Sequence, residues 1–405
     1  MSLLFICGMY PQKRYKEIVE KSKNSVQFSA EILQRKLLDG LNHNTDFDVK
    51  TVSLPYINKY PYGYSDRIIH KWDNENGIEF LGFNNTAGLR NISRTFSLIK
   101  YLRKIDLSKI DNVLIYAVHS PFLFAAKYLK SKTHGNIKIV LIVPDLPLYM
   151  EFIKYNFIKK IAKMADWLLI KFLLKYIDGY VLLTEHMNHI INRSNKPYIV
   201  MEAVSDKVQG SDNLQFRKNM EPYILYSGSI ELEYGIGNLI DAFEKIDDCE
   251  IKLYICGKGN AEEYVRMKAN KNHRILYFGQ VEPEFAKKLE FSAKVLVNPR
   301  MALSEYIYYS FPSKNMQYLA TGNPVVCYML PGIPDEYREY CFVPMDDTIE
   351  ALADTINKVL KLNNDELLKR AVTQLDFCRK KGKNESAKRI LDMFNAIKIN
   401  PDYNF

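Results

Sequence analysis

The chain has 405 residues, of which 47% are hydrophobic, 13% aromatic and 25% charged. At roughly one domain per 150 residues, that length accommodates two or three domains. With 18 glycines and 16 prolines, a collagen-like or Pro/Gly-driven disordered chain is excluded. The 56 Lys and Arg against 47 Asp and Glu leave a net charge of +9. That excess suits nucleic acid, anionic lipid or phosphorylated small molecules, without choosing among them.

No apolar run reaches the ~18 residues that span a bilayer. The N-terminus, MSLLFICGMYPQKR, has no basic residue before its apolar stretch and reads as a buried first strand. Cys7, Cys249, Cys256, Cys327, Cys341 and Cys378 are dispersed, with no CxxC pair. This spacing argues against a zinc site or disulfide framework and for a reducing cytosol.

Strand-like apolar runs occur at 3–7, 113–118, 137–143, 179–184 and 198–202, then at 223–228, 251–257, 274–279, 295–299 and 324–328. Between them lie amphipathic stretches such as 25–41, 237–246, 261–270, 283–292 and 314–321. Continuous apolar strands alternating with helices predict parallel βαβ units. Two strand series predict an α/β protein of two Rossmann-like domains, 1–206 and 207–383, with the polar stretch 206–221 as linker. A C-terminal helix, about 384–405, is expected to pack back on the first domain.

Segment 152–177 carries Ile158, Ile161, Ala165, Leu168, Leu169, Phe172 and Tyr176 along one side at helical spacing. Lys159, Lys160, Lys163, Lys171 and Lys175 mostly share the other side. A cationic polar face with Trp167 and Phe172 near the apolar one describes an interfacial helix. The competing reading is a core-packing helix with a solvated lysine face. The membrane reading takes Lys160, Lys163, Trp167, Lys171 and Phe172 as its contacts.

In the second strand series, Gly228 ends a strand before a loop and helix, a setting that suits a phosphate. Gly235 and Gly237 allow backbone near a ligand, and Gly257 and Gly259 mark another strand-to-helix turn. A lone GxG is weak evidence, but ligands of open α/β sheets bind beyond the carboxyl ends of strands. Arg300 follows a strand and a proline. Ser313 is an expected N-cap, which puts Lys314 in a first helical turn, where the helix dipole disfavours a cation. That mismatch points to an anionic ligand for Lys314. Asp145, Glu185 and Asn84 sit at strand ends or turns, where they either reach acceptor hydroxyls or merely shape the chain.

Residues 223–345 resemble the donor half of the family 4 glycosyltransferases, which have the GT-B fold of two Rossmann-like domains facing a cleft. The resemblance is carried by SG at 227–228, YG then LIDAF at 234–243, ICGKG at 255–259, FG at 278–279 and FPSK with ATG and PVV over 311–326. The first half resembles the acceptor domain more loosely, through the HSP at 119–121 and through Gly8, which the resemblance implies at the donor. The resemblance implies a retaining transfer from a nucleoside-diphosphate sugar without a metal or other cofactor. It implies Lys314 and Arg300 on the diphosphate, the Gly228 loop beside them, and Gly279 and Val281 at the base. It also implies His119 near the reacting sugar.

Several positions depart from the family. Tyr309 and Gln317 stand where many relatives carry paired glutamates, and Ser229 and Tyr234 where many carry Arg and Lys. Gln317 retains an amide for ribose hydroxyls, and Glu305 is a nearby substitute for the first glutamate. The expected acceptor is a glycan or polyprenyl-diphosphate-linked oligosaccharide in bacterial surface polysaccharide synthesis. The expected location is cytoplasmic, peripheral on the inner face of the plasma membrane, with no nucleic-acid partner. The alternatives are a degenerate, non-catalytic GT-B partner protein and a nucleotide-sugar epimerase.

Overall fold

The structure is a computed structural model and describes residues 2–23, 26–44, 47–147, 157–205, 221–302 and 305–399. Most of the 206–221 stretch expected as linker lies outside the described residues. The chain divides into two compact units, Met1–Val204 with Lys383–Phe405, and Ser205–Gly382.

The first unit contains strands β1 (Ser2–Cys7), β2 (Asp48–Ser53), β3 (Ile68–Ile69), β4 (Trp72–Glu75), β5 (Ile78–Phe80), β6 (Phe83–Asn84), β7 (Asn112–Tyr116), β8 (Lys138–Val143), β9 (Gly179–Leu182) and β10 (Tyr198–Val200). Its helices are α1 (Tyr15–Lys21), α2 (Phe28–His43), α3 (Arg90–Leu102), α4 (Ser120–Lys132), α5 (Phe157–Leu173) and α6 (Asn188–Ile191). Eight strands form one sheet in the order β10-β9-β8-β7-β1-β2-β5-β4. Every pairing in it is parallel except β4 with β5. β1 and β7 are central, and Leu3 to Cys7 and Val113 to Ile115 are fully buried. This is why they read as unbroken apolar runs.

The second unit contains β11 (Glu221–Ser227), β12 (Lys252–Cys256), β13 (Ile275–Tyr277), β14 (Ala293–Asn298) and β15 (Val325–Cys327). Its helices are α7 (Ile236–Glu244), α8 (Glu262–Lys271), α9 (Pro283–Ser292), α10 (Ser313–Leu319), α11 (Ile349–Leu360) and α12 (Asn364–Lys380). Its sheet runs β13-β12-β11-β14-β15, all parallel. α12 opens on a full capping box, with Asn363 and Glu366 bonding each other's backbone N–H.

The last helix, α13 (Lys383–Ile399), returns to the first unit and lies on α2. A side chain at Gly40 would strike the Lys383 carbonyl at 2.2 Å, so the two backbones approach closely there. Ile390, Met393 and Phe394 on α13 are fully buried in the cluster that includes Leu37, Leu41 and Phe5. Phe394→Ala is expected to destabilise the first unit by about 3–5 kcal/mol. In thermal unfolding followed by hydrogen exchange, the loss should appear in β1 and β7 and spare β11 and β14.

Candidate functional site

Each unit gathers a cluster of polar groups. In the second unit the centre is Glu290, on the last turn of α9, with its side chain only 2% exposed. A buried carboxylate is costly unless paired. Here Lys314 Nζ lies 3.2 Å from its Oε1, and Gln317 Nε2 lies 3.0 Å and 2.7 Å from its two oxygens. Ser227 Oγ donates to Oε1 at 2.5 Å, and Lys314 Nζ is also 3.1 Å from Ser227 Oγ. The Glu290 carbonyl in turn accepts from Asn323 Nδ2 at 2.8 Å.

Glu290 is the residue that sequence reasoning missed. In PEFAKKLEFS it looks like any surface glutamate. It corrects two expectations. The mismatch of a cation at a helix start is met within the fold, because Glu290 supplies the counter-charge for Lys314. The Gln317 amide nitrogen is turned onto both Glu290 oxygens, so one of its N–H groups is engaged inside the fold. Ser313 is corrected as well: Pro312 is the N-cap, and the exposed Ser313 is the first helical residue with no capping bond.

The glycine loops pack backbone on backbone beside Lys314. Gly257 has φ +139°, and a Cβ there would fall 1.7 Å from the Gly228 carbonyl; one on Gly259 would fall 2.1 Å from the Ile230 carbonyl. A Cβ on Gly228 would lie 3.9 Å from Lys314 Cε. Ser229 is exposed on the same loop, its carbonyl accepting from Tyr226 Oη. Arg300 stacks over the Tyr234 ring at 4.6 Å. Gly279 has open space around its Cα, Val281 is half-buried, and Glu305 is exposed at the start of a short 3-10 turn.

In the first unit, His119 and Asp145 share a cavity of about 200 Å3 with Gln27, Tyr56, Asn58 and Arg90. Arg90, Gln27, Tyr56 and Asn58 were not expected from sequence. His119 is the N-cap of α4, and its Nδ1 is buried without a partner. Burial, with Arg94, Arg90 and Lys59 nearby, holds its imidazole well below the usual range, so it is neutral at pH 7. Burial also lifts the Asp145 carboxyl to about 6 and pulls Arg90 down to about 10, still cationic at neutral pH. Arg94 is fully buried and donates to the carbonyls of Pro55 (2.8 Å) and Leu54 (2.7 Å).

The remaining expectations for this unit fare unevenly. Gly8 offers no ligand surface: it is buried, its N–H donates to Gln34, and a Cβ would strike the Tyr56 ring at 2.3 Å. It is a packing glycine, not a donor-binding one. Asn84 shapes a turn, with its Oδ1 accepting from the Thr86 N–H. Glu185 is exposed, accepts from Tyr198 Oη at 2.5 Å, and is not among the cavity-lining residues.

On α5, Ile161, Met164, Leu168 and Phe172 are all more than half exposed. Trp167 is corrected: at 3% exposure it faces the core with Ile170 and Leu173, because the helix is apolar on two sides. Lys171 Nζ sits 5.3 Å over the Trp167 ring. Lys163 is half-buried, and the side chain of Lys160 lies outside the described residues. No helix among the described residues is long and apolar enough to cross a membrane.

Three solved structures illustrate what the whole chain is similar to. The lipopolysaccharide outer core galactosyltransferase WaaB, apo form, is 13% identical, with 98% of this chain and 99% of that one covered, at a TM-score of 0.59. Anabaena Alr3699/HepE in complex with UDP is 10% identical (98% and 100% covered, TM-score 0.60). Sucrose-phosphate synthase from Thermosynechococcus elongatus is 14% identical (98% and 100% covered, TM-score 0.62). At these identities the likeness defines the fold, and the chain has the GT-B fold of two Rossmann-like domains. Residues 221–362 match the family described as Glycosyl transferases group 1. The match lies within the second unit and supports a glycosyltransferase. No curated protein matches the sequence.

Asp145 supplies a pH test of the cavity. Its folded value of about 6 exceeds the ordinary 3.8, so the ionised carboxylate costs stability above pH 6. That cost is relieved as pH falls through 6 toward 3.8. Asp145→Asn is therefore expected to melt higher than the wild type at neutral pH, with the gap closing as pH falls across this window in a calorimetric series.

Proposed function

We propose that the protein is a retaining glycosyltransferase that moves a sugar from a nucleoside-diphosphate sugar to a glycan or lipid-linked oligosaccharide in bacterial surface polysaccharide synthesis. The observation that carries this reading is the Lys314 ammonium beside the Gly228 and Gly257 loops. Two of its three hydrogens are engaged by Glu290 and Ser227, and the third remains for a diphosphate oxygen. UDP bound to the HepE neighbour supports a nucleotide donor. Arg300, stacked on Tyr234, is the second cation in this role.

In this reading the second unit binds the donor and the first unit the acceptor, with the neutral His119 imidazole hydrogen-bonding a sugar hydroxyl. Catalysis rests on positioning and on stabilising the diphosphate leaving group. The acceptor hydroxyl attacks the anomeric carbon on the face the leaving group departs from, and its proton passes to the departing phosphate oxygen. No metal is assigned a role.

A thermal-shift screen against UDP, GDP, TDP and CMP tests the donor. A nucleotide at 100 times its Kd adds about 2.7 kcal/mol of stability, and no shift with any of them overturns the donor assignment. With the shifting nucleotide's sugar as donor, Lys314→Ala is expected to weaken transfer by about 2–4 kcal/mol, while EDTA leaves the wild-type rate unchanged. Near wild-type turnover in Lys314→Ala removes the phosphate role.

The protein is further proposed to dock on an anionic cytoplasmic leaflet through α5. Ile161, Met164, Leu168 and Phe172 would enter the interface, with Lys171 and Lys175 on headgroups at about 1 kcal/mol each. Lys171, Lys175 and Arg193 line a pocket of about 90 Å3 next to this stripe. Co-sedimentation with phosphatidylglycerol vesicles should exceed that with phosphatidylcholine. It should fall roughly tenfold or more in the Leu168→Ser, Phe172→Ser double variant, since each lost apolar anchor is worth ~1.5–3 kcal/mol when fully buried. Equal binding to both vesicles removes the docking proposal.

A further inference from the structure

We propose that the cavity of the first unit receives an anionic group of the acceptor, a phosphate or a carboxylate, with Arg90 as its anchor. This deepens the acceptor role proposed above and rests on it. Three helices start at this cavity: Gln27 is the N-cap of α2, Arg90 is the first residue of α3, and His119 is the N-cap of α4. None of the three N-termini is capped by a side chain. Each brings a partial positive charge, about half an elementary charge, to the same space.

The side chains add to this field. Arg90 is half-buried; its Nη2 donates to the Ile57 carbonyl at 2.6 Å, and its Nε is fully buried with no partner. The carbonyl contact fixes the guanidinium without neutralising it. Arg94, fully buried behind it, is likewise held by two carbonyls, and its Nε is unpartnered. No carboxylate pairs with either arginine among the described residues. Glu31, on α2, is already engaged by Arg35 at 2.7 Å and by the Tyr10 N–H and the Tyr15 hydroxyl.

Among the described residues Asp145 is the only carboxyl lining the cavity, and its pKa shift comes from burial, with no arginine contributing. It therefore does not serve as the counter-ion of Arg90. A guanidinium taken out of water without a counter-charge is unfavourable, and an arriving anion relieves that cost. The fork of a guanidinium matches the oxygens of phosphate and carboxylate alike. A volume of about 200 Å3 is below the roughly 300–1,000 Å3 of drug-sized pockets, which fits one small charged group and the ring that bears it.

The test titrates the full chain with glucose 6-phosphate, glucuronate, inorganic phosphate and neutral glucose, with and without UDP. The readout is the arginine Nε–Hε NMR signal, which Arg90→Lys assigns to Arg90. The charged probes should shift the Arg90 signal saturably, and glucose at the same concentration should not. Preference for glucose 6-phosphate names a phosphorylated acceptor, and preference for glucuronate a uronic acid. Arg90→Gln should weaken the charged probe at least tenfold and Arg90→Lys should keep part of it. Should Arg90→Gln fail to fold, the wild-type titration decides.

The proposal is overturned if glucose binds as tightly as glucose 6-phosphate or if no anion moves the Arg90 signal. It is overturned equally if UDP displaces the anion, since the cavity then serves the donor's diphosphate. The UDP thermal shift is read separately, so failure of the donor assignment and failure of the anion site are distinguishable.

Discussion

The buried Glu290 carboxylate organises the second unit. A charge with almost no exposure must find its partners inside the fold, and two elements supply them: Ser227 at the end of β11, and Lys314 and Gln317 on α10. The backbone that carries it is fixed from behind. Asn323 bonds the Glu290 and Phe291 carbonyls, and Gln374 of α12 bonds the Leu319 and Asn323 carbonyls. The Lys314 ammonium is thus set in place before any ligand arrives. Catalysis by charge stabilisation depends on such prior placement, because a group that must reorient at the moment of reaction loses much of its advantage.

The first unit follows the opposite logic. The two arginines at its cavity are held by neutral carbonyls: Leu54 and Pro55 for Arg94, Ile57 for Arg90. Arg94 also stacks over Phe83 at 4.6 Å. Carbonyl oxygens orient a guanidinium but do not cancel its charge. The neutrality of His119 follows first from its burial and then from the same field, since an added proton would face Arg94 and Arg90. Lys314 in the second unit is matched by a carboxylate, whereas Arg90 and Arg94 at the cavity of the first are held by carbonyls alone among the described residues. The two therefore differ in what they can bind, although both are parallel α/β sheets.

Much of the fold was legible because buried parallel strands are unbroken apolar runs. Where burial is partial the signal fades. The strand β2, DVKTVS, is exposed over half its length and reads as polar, and WDNE of β4 lies at the sheet edge. The glycine loops and Lys314 were legible from local spacing. Glu290 and Arg94 were not, because their burial is made by residues distant in sequence: Ser227 lies 63 positions from Glu290, and Leu54 lies 40 from Arg94. Neither KKLEF nor NISRTF carries any local mark of that convergence. Gly8 misled for the converse reason, since a glycine after a first strand serves a ligand or a packed tyrosine equally well.

Helix α5 shows how periodicity can find a face and misjudge its use. Residues 161, 164, 168 and 172 follow helical spacing and are exposed, while 167, 170 and 173 follow the same spacing and are buried. A hydrophobic pattern alone does not say which stripe meets the core, because both satisfy it. Trp167 goes inward because its stripe continues into Leu174 and Ile177, which are also buried. The outward stripe is left uncovered by the described residues of this unit, and Lys175 Nζ stands 3.9 Å over the Phe172 ring at its end. Four large apolar side chains in water are unfavourable in proportion to their area. An ammonium over an aromatic face is held there by the ring's quadrupole, which keeps a cation at the end of the apolar stripe.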